Sequence, residues 1–159
     1  MEKKPILCVD FDGVIHSYIS GWNGARNIPD PPIRGALEFL VLATKYFEVN
    51  IYSSRSRYFG ARRAMKKYLF KHYFKISELD AREIPRWFWS GIPEKNSTQI
   101  WRASAKTGIK IFLKKLKFPI KKPAAFLTID DRVHLFTGIF PYPKSLLDFE
   151  PWNKKKKYT

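Results

Sequence analysis

Cysteine, histidine and acidic residues are all scarce in this chain of 159 residues, and each scarcity narrows the reading. The single cysteine, Cys8, excludes a disulfide framework. The three histidines and one cysteine show no spacing that suits structural zinc. No apolar run approaches the roughly 20 residues that span a bilayer. The opening Met1-Glu2-Lys3-Lys4-Pro5 is too short for a signal peptide, so a soluble, cytoplasmic protein is expected. There is no Gly-x-x-x-x-Gly-Lys-Ser/Thr segment, which excludes a phosphate-binding loop of the kinase type. Acids number 14 against 30 Lys and Arg, a net charge of +16. A charge that large points to a polyanionic partner, most simply nucleic acid, with a generally basic surface as the plain alternative. Four of the lysines form the run Lys154–Lys157, expected as a disordered tail over 154–159; without them the body is still strongly basic.

What the chain does have is Asp10-Phe11-Asp12, placed at the end of the apolar run Pro5-Ile6-Leu7-Cys8-Val9. That run reads as a short buried strand, with Cys8 as one of its small hydrophobes. Two carboxylates at i and i+2 on an ending strand repel each other unless a cation lies between them. Magnesium meets that need and commonly brings a phosphate with it. An EF-hand is excluded, because the later oxygen ligands and the closing glutamate are missing. A second segment, Phe47–Tyr52, alternates like a strand and runs into Ser53-Ser54-Arg55. A third, Ala124–Ile129, runs into Asp130-Asp131-Arg132. Three strands thus end in groups that suit a metal or a phosphate. In open α/β sheets ligands bind beyond the carboxyl ends of the parallel strands.

With these motifs the chain resembles the haloacid dehalogenase superfamily of phosphohydrolases, over Ile6 to about Gly138. Asp10–Val14 matches its first motif, Ser53 its second and Asp130-Asp131 its fourth. Ser53-Ser54-Arg55 and Asp130-Asp131-Arg132 look like the 3′-phosphatase domain of phage polynucleotide kinase-phosphatases. Asp10–His16, Trp22, Pro29–Pro32 and Lys122–Arg132 resemble small phage-encoded members still more closely.

The resemblance implies an α/β, Rossmann-like fold: a central parallel sheet flanked by helices, with a small cap or none. It also implies a magnesium-dependent phosphomonoester hydrolase working through an aspartyl-phosphate. Asp10 would be the nucleophile. Asp12 would be general acid and then base, with a pKa raised by its carboxylate neighbours. Asp10, Asp12 through its backbone carbonyl, and Asp130 would hold Mg2+, with Asp131 as a ligand or a support for the ligands. Ser53, the Ser54 amide and Arg55 would bind the phosphoryl group. The family's third-motif lysine has two candidates, Lys122 and Lys110. For Lys122 to serve, Leu116–Phe118 must form a short strand whose carboxyl end faces the site. An open site and the basic charge suit DNA or RNA ends as substrates. Free nucleotides or other small phosphomonoesters are the alternative, and a nucleic-acid-binding module without turnover is a second one.

Elsewhere one domain is expected over 1–153. His16–Gly24 reads as a loop, as its Gly, Ser and Asn content suggests; in family members the equivalent stretch is a flap. Pro29–Pro32 leads stiffly into a helix over about 33–46. A second helix is predicted at about 60–73, apolar through Ala61, Met65, Tyr68 and Leu69, and a third at about 98–117. Ser77–Gln99, with Arg86-Trp87-Phe88-Trp89, reads as a small insertion that either packs on the body or stacks on unpaired bases. A short helix is expected at Lys144–Phe149.

Overall fold

The computed structural model describes residues 3–83, 94–133 and 152–153. Within them the chain is mixed α/β, with three helices and a small open sheet. The first apolar run becomes β1, Ile6–Asp10, whose Leu7, Cys8 and Val9 are all buried. Burial on both faces is what a continuous apolar run predicts for a central parallel strand. β2, Glu48–Tyr52, and β3, Leu127–Ile129, pair in parallel on either side of it, giving the order β2-β1-β3. Lys117 adds a single parallel bridge on the far side of β2. Its N–H donates to the Val49 carbonyl at 3.0 Å, and its carbonyl accepts from Ile51 N–H at 2.8 Å. The strand that the Lys122 reading required at 116–118 is thus present as one bridge.

Helix α1, Ala36–Tyr46, begins three residues later than the periodicity suggests. Gly35, at φ 82°, takes the left-handed region, so right-handed helical backbone starts only after it. Leu37, Leu40 and Ala43 line its buried side. Helix α2, Ala61–Glu83, runs ten residues past the predicted end, and α3 spans Glu94–Lys115. They pair as an antiparallel hairpin: Tyr73 meets Phe112 at 5.1 Å between ring centroids, and further along α2 Glu78 meets Arg102, nearer the start of α3. Residues 74–83 contain no Gly or Pro to stop the helix, and cross-hairpin packing extends it. Ser77–Gln99 is therefore not a separate insertion. Its described parts are the end of α2 and the start of α3, while Arg86–Trp89 falls outside the described residues, as do the predicted 144–149 helix and the tail.

The apolar cluster joins Leu7, Val9, Val49 and Ile51 from one sheet face to Leu37 and Leu40 of α1 and Met65 and Leu69 of α2. Phe112 and Leu113 of α3 pack against the same cluster. Among the described residues all three helices contribute to this cluster. Leu40 is fully buried, so Leu40→Ala is expected to lower stability by about 2–5 kcal/mol, read as a lower urea midpoint at unchanged slope. Among the described residues no helix is long and apolar enough to cross a membrane.

Candidate functional site

Strand register brings the three motifs together. Val9 pairs with Ile129 and Asp10 with Tyr52, so Asp10, Ser53 and Asp130 all leave the sheet at the same edge. Asp10, Asp130 and Asp131 each place a carboxylate oxygen there, and the three oxygens lie within 4.8 Å of one another. Such crowding is unfavourable without a cation. Burial pushes the Asp10 pKa up to about 7; a backbone hydrogen bond at Phe11 opposes this, and the charges of Asp130, Asp12 and Asp131 add to it. Burial also raises Asp131, partly offset by Arg132.

Asp131 is the most telling of the three. Its side chain is 1 % exposed and neither oxygen has a hydrogen-bond partner. The nearest cation, Arg132 Nε, is 3.8 Å away. A buried carboxylate left this way is costly, and a hard cation bound by oxygen would satisfy it. The cluster therefore fits a magnesium-type ion. Lys122 Nζ lies 3.9 Å from Asp130 Oδ2, at the rim. Lys110 is exposed on α3 and has no ion pair among the described residues.

Gly13 lies directly against the Asp131 carboxylate. Its φ is +89°, and a Cβ there would come within 2.3 Å of Asp131 Oδ2. Gly13→Ala is thus strained twice, in its backbone and against the carboxylate. It should displace Asp131 and weaken by about tenfold or more the affinity of a divalent cation for the three carboxylates, measured by calorimetric titration. Trp152 closes the other side, its indole N–H donating to the Gly13 carbonyl at 2.8 Å.

Asp12 departs from its expected role. Its side chain stands outside the acidic trio and is bound on both oxygens. Arg55 grips it with Nε on Oδ2 and Nη2 on Oδ1, both at 2.7 Å. His16 Nδ1 meets Oδ1 at 2.9 Å, and the Ser53 hydroxyl donates to Oδ2 at 3.0 Å. Burial raises the Asp12 pKa, but the bonds from His16, Arg55 and Ser53 outweigh it, and the carboxyl is held below its ordinary value. The expectation of a raised Asp12 is corrected: its partners are cationic or donating, and the raised carboxyl is Asp10.

Ser53 and Arg55 are corrected likewise. Ser53 is buried and caps the 3-10 turn Ser54–Arg57, accepting from the Arg55 N–H while its own proton goes to Asp12. Arg55 is fully buried. Beyond Asp12 it donates from Nη1 to the carbonyls of Gly24, Ala25 and Asn27, at 3.4, 3.0 and 3.4 Å. Its guanidinium ties the 16–32 loop to Asp12 and does not face a ligand. Ser54 alone of the three is exposed.

His16, read in the sequence as part of a loop, is buried at 0 % exposure. Its Nε2 accepts from the Asp30 N–H at 3.2 Å, so the proton sits on Nδ1, toward Asp12. The i, i+4 spacing of Asp12 and His16 was the available signal for this pair. Nothing in the sequence signalled Trp152, which is 139 residues from Gly13. No family model, curated protein or solved structure matches the chain.

Proposed function

We propose that the chain is a magnesium-dependent phosphomonoester hydrolase with Asp10 as its nucleophile. One observation carries the reading: the buried carboxylate of Asp131, with no hydrogen bond from another described residue, beside Asp10 and Asp130 at a shared strand edge. Asp10, Asp130 and Asp131 would hold the ion, which would neutralise their charge and that of an incoming phosphate. One Asp10 oxygen attacks phosphorus, and the bond to the leaving oxygen breaks with its electron pair. The leaving oxygen takes a proton from solvent, and Asp10 carries the phosphoryl group. Water then attacks phosphorus as the bond between phosphorus and the Asp10 oxygen breaks, and the water's proton passes to solvent, since both Asp12 oxygens are already held by Arg55, His16 and Ser53. Inorganic phosphate leaves and the Asp10 carboxylate is restored. Lys122, beside Asp130 at the rim, and the exposed Ser54 would meet phosphate oxygens.

The likeness to the haloacid dehalogenase superfamily supports the same chemistry, in an open α/β site of its Rossmann-like kind. A second reading, a nucleic-acid-binding module without turnover, is favoured by the commitment of Ser53 and Arg55 to Asp12. Phosphate release separates the two. A 3′-phosphorylated oligonucleotide, 3′- and 5′-mononucleotides and an aryl phosphate should be compared with and without magnesium. Magnesium-dependent release from any of them is expected; none from all four sinks the hydrolase.

A further inference from the structure

The surface beside the site carries exposed aromatic rings among unopposed positive charge. Between Glu48 and Glu78 the chain has no acidic residue and eight Lys or Arg. Within that stretch the 3-10 turn leads into Tyr58 and Phe59, and Phe59 is 97 % exposed. Tyr58 is about half exposed and meets the half-exposed Trp22 of the 16–32 loop, ring centroids 5.9 Å apart. Arg57 lies over the Tyr58 ring at 5.4 Å. The stem of Arg26 lies against Gly60, where a Cβ would sit 3.0 Å from it. Arg63 is exposed in the first turn of α2. Two separate segments, the loop through Trp22 and the turn through Tyr58, therefore meet in one aromatic pair, with Phe59 next in the chain and arginines nearby.

That pair adjoins the carboxylates. The Arg55 guanidinium, 2.7 Å from Asp12, lies 5.0 Å from the centre of the Trp22 ring. Large rings in water are unfavourable unless something covers them, and Phe59 gains nothing by packing on this chain. Flat rings interleaved with arginine suit a flat, anionic partner with exposed π-faces.

We propose that Trp22, Tyr58 and Phe59 form a stacking platform for the bases of an unpaired polynucleotide strand, with Arg26, Arg57 and Arg63 on its phosphates. Seating that strand's terminal phosphate at Asp10 rests on the hydrolase reading; binding of the strand does not. Duplex DNA keeps its base faces stacked inside and offers the platform only phosphates.

The test is fluorescence anisotropy of the full chain without magnesium, using a labelled oligothymidylate and an abasic strand of the same length. Both carry the same phosphates, and only one carries bases. The wild type should bind the oligothymidylate about tenfold or more tightly. Phe59→Ala and Tyr58→Ala, both exposed enough to leave the fold intact, should each reduce that preference about fivefold or more. Arg57→Ala should weaken both strands alike and flatten the salt dependence. Equal wild-type affinity for the two strands would mean charge attraction alone and overturn the platform. So would an undiminished preference in Phe59→Ala. Turnover of an aryl phosphate by the wild type reports on Asp10 separately. Base preference without turnover keeps the platform and removes the hydrolase; turnover without preference does the reverse.

Discussion

On the hydrolase reading, Asp10→Asn is expected to abolish phosphate release, by on the order of 10⁴-fold or more, because an amide oxygen is a far weaker nucleophile than a carboxylate. The same change should stabilise the metal-free protein at neutral pH. The Asp10 carboxyl titrates near 7 in the folded chain, against 3.8 when free. Between those values the folded state binds the proton that the unfolded state has lost, so stability falls as pH rises through that window. Above it the folded protein carries the whole penalty, on the order of 2–4 kcal/mol after local relaxation. An asparagine carries none, and its amide can donate to the unpartnered oxygens of Asp131. Thermal melts at pH 7.5 should therefore show Asp10→Asn several degrees above the metal-free wild type. Magnesium should raise the wild-type melting temperature and barely move the variant's, since binding only the folded state is stabilising. At pH 4 the metal-free difference should vanish. A variant that melts lower at every pH would mean that the three acids are not crowded as described. Asp12 has the opposite sign, with its contribution lost only as pH falls below 3.8. The two windows do not overlap.

The second large effect is at Arg55. Its removal leaves Asp12 buried without its bidentate partner and frees three loop carbonyls. Arg55→Met, which keeps most of the volume, should cost about 3–5 kcal/mol, close to the whole stability of a marginal domain. Arg55→Lys should fare little better, because one ammonium cannot span both carboxylate oxygens and the loop together. The pairing makes a stricter claim: Asp12→Asn with Arg55→Met should cost less than the two single changes summed, by about 2 kcal/mol. Urea melts of the four proteins read this directly. Strict additivity, or a loss under about 1 kcal/mol in Arg55→Met, would show that the buried pair contributes nothing. The 16–32 loop should also become protease-sensitive in Arg55→Met, since Arg55 is what ties it down.

Both effects sit on residues that stand out in the sequence, and the structure turns one of them, Arg55, inward onto Asp12. Asp10, Asp130 and Asp131 were legible because each follows an apolar run, and parallel pairing carries the ends of such runs to one edge. The strands themselves were legible for the same reason, within one residue at β1 and β2, while β3 begins three residues later than the run Ala124–Ile129. Ser53 and Arg55 were visible as polar groups at a strand end, but their direction was not. Whether a guanidinium turns to solvent or inward depends on what closes over it. Here Trp22 and the carbonyls of Gly24, Ala25 and Asn27 close over Arg55. The α2–α3 hairpin was misread as a short helix with an insertion, because its stabilising pairs, Tyr73 with Phe112 and Phe74 with Trp101, lie far apart in the chain.

Local pattern by itself thus determined the positive charge, the parallel strands and the edge where three carboxylates meet. Period, run length and residue type are properties of neighbours in the chain. Tertiary structure alone decided which carboxyl has its pKa raised and which has it lowered, where Arg55 points, and that Trp152 braces Gly13. Those outcomes depend on burial and on partners up to 139 residues away, which no spacing along the chain encodes.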